Sequence, residues 1–136
     1  MKLLLDTHYG YALGAAWSDL NPQERRFFET AAATFLVSAV SIWEIRLKWA
    51  ARHPSGDRAG PIDPAALLQA LTTGGLALLP LYAHHAAATL RVPIGHKDPF
   101  DEILLAQSQG ESLWLLTRDA ALAGHPLARM VAALEG

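Results

Sequence analysis

Short apolar blocks alternate with longer stretches of helical period along the whole chain. "KLLLD", "TFLVS", "LALLPL" and "LWLLT" are bounded by turn or capping residues and carry the pattern of buried strands. Between them the spacing predicts helices over 8–18, 22–33, 38–52, 64–73, 82–90 and 99–109. Strands alternating with helices argue for an α/β domain, a parallel sheet covered on both faces and joined by right-handed crossovers. The Gly/Pro-rich, charged stretch "ARHPSGDRAGPID" reads as a surface excursion within one domain, and no internal repeat interrupts the pattern.

Three of these helices open with the same device. In "HKDPFDEILLAQ", residues 96–107, Asp98 takes the N-cap place, Pro99 the first helical position and Asp101 the third. Asn21, Pro22 and Glu24 repeat it, and Asp63 with Pro64 repeats its first half. On local grounds alone Asp98 and Asp101 are therefore a helix start.

The architecture gives a reason to look further. In open α/β sheets the ligand crevice lies outside the carboxyl ends of the strands. Strand one ends in Asp6-Thr7 and the strand "LWLL" in Thr117-Arg118-Asp119, while Asp101 and Glu44 fall near the starts of two helices. Each acid also has a structural account. Asp6 serves as a cap, and Asp119 as an acid in a first turn, where the helix dipole favours it. Ser41 to Glu44 matches a capping box, and Lys48 lies one turn on for an i,i+4 pair. A helix starting nearer Ser38 would instead put Glu44 on a stripe with Val40, Leu47 and Ala51, where a carboxylate needs a partner. If the four acids converge, two carboxylates about 4 Å apart repel by about 4 kcal/mol at an effective dielectric near 20, so they would not all ionise without a cation. An all-oxygen site suits Mg²⁺ or Mn²⁺, and metal-assisted phosphodiester hydrolysis is the chemistry that follows.

Composition narrows the field. At 136 residues and 51% hydrophobic content the chain is long enough to bury one sizeable core. No run is long and apolar enough to span a bilayer, and "MKLLLDTHYG" meets Asp6 far short of a signal-peptide core, so a soluble cytoplasmic protein is expected. The absence of cysteine removes disulfides, thiolate nucleophiles and Cys-ligated zinc. A net charge of −2 gives no global pull toward nucleic acid, so RNA binding would need a local patch: Arg46, Lys48 and Arg52 with Arg58, or Arg91 with Lys97. Either set also reads as ordinary solvated surface. Among the six histidines, the adjacent His84 and His85 are not expected to face one ion, and His8, His53, His96 and His125 show no ligand spacing. His96 is the one nearest the acids in sequence. Trp17, Trp43, Trp49 and Trp114 have apolar neighbours and read as core or interface rather than base-stacking platforms. No Walker or Gly-x-Gly-x-x-Gly sequence anchors a nucleotide cofactor.

Taken in order, "KLLLDTH", "LVSAVSIWEIRLK", "LLPLYAHHAAA", "HKDPFDEILLAQS" and "LWLLTRDAAL" resemble the PIN-domain ribonucleases, specifically the VapC toxins of bacterial toxin–antitoxin pairs. The resemblance runs from residue 1 to about 123, and its most specific part is "HKDPFD" before "LLTRD". It implies a three-layer PIN fold over 1–136, a central mostly parallel sheet of four to five strands flanked by helices. It also implies a Mg²⁺-dependent endoribonuclease, with Mn²⁺ able to substitute, in which Asp6, Glu44, Asp101 and Asp119 form the acidic cluster and Asp6, Asp101 and Asp119 hold the metal. Asp98 would support the cluster from the start of its helix. Thr7 and Thr117 would offer hydroxyls to a metal-bound water or a carboxylate. Further implications are a homodimer, a larger toxin–antitoxin assembly and a small VapB-like antitoxin in the active-site groove, with Arg46 and Lys48 touching RNA or antitoxin or paired with acids such as Glu44.

Two stretches depart from the family pattern. The first helix carries Gly10 and Gly14, which weaken it, and the C-terminal "PLARMVAALEG" looks more helical than the short final strand expected there. Two rival functions are open. A haloacid-dehalogenase-like phosphatase also starts with an Asp after strand one, but wants a second Asp two residues on, where this chain has His8. A catalytically inactive α/β domain would use its acids as caps and its apolar faces to bind a partner.

Overall fold

The computed structural model describes residues 1–52 and 63–135. The excursion predicted within 51–63, with His53 and Arg58, lies almost wholly outside them, as does the side chain of Arg52. Five strands, β1 (Lys2–Leu5), β2 (Thr34–Ser38), β3 (Ala77–Leu79), β4 (Trp114–Leu116) and β5 (Ala128–Arg129), form one sheet in the order β3-β2-β1-β4-β5. Every pairing is parallel. The helices are α1 (Thr7–Ala15), α2 (Pro22–Thr30), α3 (Ala39–Arg52), α4 (Pro64–Thr73), α5 (Ala83–Ala87), α6 (Pro99–Glu111), α7 (Ala120–Ala123) and α8 (Val131–Leu134).

The two sheet faces carry separate cores. Leu3 and Leu5 point to the side packed with Tyr9, Phe27, Leu67 and Leu71, and Leu4 to the side packed with Leu104, Leu105, Leu115 and Leu122. That alternation within a continuous apolar run is what a strand covered on both faces requires. Three layers result.

The chain leaves β1 toward β2 and β3 on one side and returns through β4 and β5 on the other, so the switch in strand order falls between β1 and β4. Asp6 and Thr117 are the residues that follow those two strands, and the Asp6 N–H donates to the Leu116 carbonyl at 2.9 Å.

Several boundaries moved for local reasons. The helix expected over 8–18 ends at Ala15 and yields to a 3₁₀ turn at Trp17–Asp19; that over 22–33 ends at Thr30; that over 82–90 shortens to α5. The glycines in α1 do not break it. A methyl group on Gly14 would fall 2.4 Å from the Leu67 side chain, so glycine there is what lets α1 lie against α4. The C-terminus holds both competing forms, the two-residue strand β5 and then the single helical turn α8. Asp119 turns out to be the N-cap of α7, an element the apolar pattern did not reveal, its Oδ1 accepting from Ala121 N–H at 2.9 Å.

The Trp expectation is corrected in part. Trp17, Trp43 and Trp114 are exposed; Trp43 packs edge-on against Phe100, and Trp114 lies beneath the Arg129 guanidinium. Among the described residues no helix is long and apolar enough to cross a membrane.

Candidate active site

All four predicted acids line one cleft of about 490 Å³ at the carboxyl ends of β1 and β4, together with Asp19, Asp98 and Thr7. Six carboxylates face a single lysine there, Lys48.

Each acid is fixed by its own donors. Asp6 accepts from the Thr7 amide at 2.8 Å and from the Thr117 hydroxyl at 2.6 Å, while the Thr117 oxygen takes the Asp119 N–H at 3.0 Å. Thr117 thus ties the end of β1 to that of β4 through Asp6 and Asp119, two of the three acids expected to hold the metal. Glu44, buried on α3, accepts from the Thr7 hydroxyl at 2.7 Å and from Lys48 Nζ at 2.6 Å. Thr7 Oγ1 also lies 3.0 Å from Ser41 Oγ. Both threonine hydroxyls therefore serve carboxylates.

The capping box proposed for Ser41 and Glu44 does not form. The helix begins at Ala39, Ser38 Oγ takes the Val40 N–H, and Ser41 lies inside the helix. The stripe proposed for Glu44 is also corrected, since Val40 is buried but Leu47 and Ala51 are exposed. Asp98 does cap α6, accepting from Phe100 N–H at 2.9 Å, whereas Asp101 turns away from the cap, its Oδ2 lying 2.8 Å from His96 Nε2.

Charge is crowded at this end of the sheet. Burial pushes the Asp101 carboxyl up to about 6, the His96 hydrogen bond opposing and Asp6 and Asp98 adding to the rise. Burial likewise raises Asp6, against the hydrogen bonds from Thr117 and Thr7, with Glu44 and Asp119 adding. Oxygen donors held ready yet disfavouring their own charge are the donor set of a hard divalent cation. Asp6, Asp101 and Asp119 are the side chains that would hold it. Among the described residues no three of these acids bring oxygens within 4.8 Å of one another, so an ion there would take some of its ligands from water.

The two basic residues part company. Lys48 lines the acidic cleft, whereas Arg46 lines an apolar groove with Ile42, Trp43, Leu68 and Leu78. Arg91 and Lys97 line different clefts.

His84 and His85, contrary to expectation, do converge with Glu111, their ligand atoms lying within 4.8 Å. His85 Nδ1 accepts the Tyr82 N–H at 3.1 Å, so Nε2 carries the hydrogen and gives it to Glu111 at 2.8 Å. Ligation through Nε2 would put a second hydrogen against the Tyr82 amide.

Sequence reasoning missed the network behind the site. Glu24, which also completes its predicted capping box with Asn21, accepts from the Tyr9 hydroxyl and from Nε and Nη2 of Arg118; Arg118 donates further to the Asp19 carbonyl at 3.2 Å. Burial pushes the Glu24 carboxyl up, but Tyr9, Asn21 and Arg118 together outweigh it and hold it below the ordinary carboxylate range. A signal existed: with Thr117 and Asp119 turned to the cleft, Arg118 between them turns away and needs an acid.

Comparison with known proteins agrees with this geometry. The PIN domain family model matches residues 3–125, and the chain belongs to the PIN domain family. A search of the curated proteins gave no significant match. Among solved structures, a toxin–antitoxin complex from Klebsiella pneumoniae is similar with a TM-score of 0.63 at 18% identity, over 95% of this chain and 97% of that one. VapBC2 from Rickettsia felis, bound to a DNA fragment from its promoter, gives 0.62 at 14% identity, over 96% and 97%. Mycobacterium tuberculosis VapC20, a sarcin–ricin loop cleaving toxin, gives 0.54 at 16% identity, over 93% and 98%.

Proposed function

We propose that the chain, as one PIN domain over 1–136, is a Mg²⁺-dependent endoribonuclease, the toxin of a bacterial toxin–antitoxin pair, acting in the cytoplasm. The observation that carries this is the gathering of Asp6, Glu44, Asp101 and Asp119 on one cleft at the β1/β4 switch point, with Asp6 and Asp101 raised by burial and, to a lesser degree, by neighbouring acids. Membership of the PIN family and the fold shared with toxin–antitoxin complexes support it.

Asp6, Asp101 and Asp119 would hold the Mg²⁺, for which Mn²⁺ substitutes; when bound, the ion lowers the pKa of an attacking water and neutralises charge growing on the phosphate. Thr117 and Thr7 orient the carboxylates, and Glu44 holds Lys48 at the cleft wall, where its ammonium meets RNA phosphate or an antitoxin's carboxylate. The exposed Trp43, Leu68 and Leu78 beside Arg46 supply apolar surface of the kind a VapB-like antitoxin or a second copy covers.

The test is incubation of the purified chain with end-labelled cellular RNA, in Mg²⁺ or EDTA, beside Asp101→Asn. Discrete fragments from wild type in Mg²⁺ alone support the nuclease. No cleavage together with no Mn²⁺ binding would move the assignment to an inactive partner-binding domain.

A further inference from the structure

Of the six cleft acids, Asp6, Glu44, Asp98 and Asp119 are held by groups on helices or just past strand ends, whereas Asp101 is held by a ring from an irregular segment. Asp6 is gripped by Thr7 and Thr117, Glu44 by Thr7 and Lys48, Asp119 caps α7 and Asp98 caps α6. Asp101, in the first turn of α6, has the His96 ring 2.8 Å from its Oδ2, and that ring comes from the segment immediately before the helix. We propose that His96 is a positioning residue, which fixes the Asp101 carboxylate by donating from Nε2–H to Oδ2 and so presents Oδ1 to a divalent cation in the cleft.

At neutral pH a carboxylate only accepts, so Nε2 carries the hydrogen. Without that bond the Asp101 side chain is free to turn about χ2, a broad torsion, and the ion must itself restrict it. Donors behind metal-binding carboxylates typically set affinity by ten- to a hundredfold when removed. The ring is one-third exposed and lies outside the two apolar cores, so its loss leaves packing intact. The inference rests on the metal-site reading above.

The experiment is Mn²⁺ titration of the full chain by calorimetry, comparing wild type, His96→Leu and His96→Gln, with thermal unfolding in EDTA as the check on folding. Leucine removes the donor; the glutamine amide returns one. The expected result is about tenfold weaker Mn²⁺ binding for His96→Leu, recovery to within a few-fold for His96→Gln and, in EDTA, a melting transition as cooperative as that of wild type. In RNA cleavage the His96→Leu deficit should shrink as Mg²⁺ is raised. Equal Mn²⁺ affinity for wild type and His96→Leu overturns the positioning role and leaves the metal site standing; wild type that takes up no Mn²⁺ overturns both. If His96→Leu melts early, His96→Gln against His96→Met decides the matter in the same way.

Discussion

Two groups of buried carboxylate chemistry sit back to back in this molecule and have opposite electrostatic outcomes. Glu24 meets an arginine fork, a phenol and a backbone amide, and its carboxyl is held down. Asp6 and Asp101 are driven up by burial, with neighbouring acids adding to the rise and the hydrogen bonds from two threonines and one histidine opposing it. The difference separates structure from chemistry. A buried acid that has its cation inside the protein is finished, whereas acids crowded without one are a site awaiting a cation from outside.

Substitution should break this comparison most sharply. Asp6→Asn and Asp101→Asn should each lower RNA cleavage on the order of a hundredfold or more without lowering the urea midpoint, because each removes a repelled charge rather than a paired one. Wild-type cleavage in either variant would dissolve the distinction. Glu24→Ala should do the reverse, costing about 2–3 kcal/mol in urea unfolding, a value reduced because Arg118 is partly exposed, by leaving Arg118 and Tyr9 without their acceptor.

Packing offers a smaller but independent effect. Gly14→Ala should cost about 1–3 kcal/mol, since the added carbon meets Leu67 and forces α1 and α4 apart. Unchanged stability would mean that the Leu67 side chain swings away freely.

Proton linkage sharpens the contrast without mutation. Asp101, at about 6, and Asp6 have native pKa values above their unfolded ones, as does His96, held up by its bond to Asp101. The native state therefore binds more protons, and in EDTA the melting temperature should rise as pH is lowered from about 7.5 to about 5.5. Asp101→Asn should flatten that rise. Glu24, with a lowered native pKa, contributes stability present above its unfolded value and lost as pH falls through the native one, so the trend should reverse below about pH 4. The smallest expected effect is Asp98→Asn, which keeps a capping oxygen and should shift stability by only a few tenths of a kcal/mol.

Much of this was written in local pattern. Four apolar blocks became the four longest strands, and the caps at Asn21, Asp63 and Asp98 formed as their residue types require, because capping is settled within four residues. Glycine at position 14 looked like a weakness because the sequence does not print the leucine that lies above it.

What the sequence determined by itself was the order of elements and the acids at the strand ends, since both follow from short-range period and from the rule that strand ends line the crevice. The tertiary structure alone decided partners. It brought Thr117 to Asp6 across 111 positions and Arg118 to Glu24 across 94, and it parted Arg46 from Lys48 onto different surfaces of one helix. Helical and strand periods say which way a side chain points, but the group it meets is chosen by the packing of distant segments.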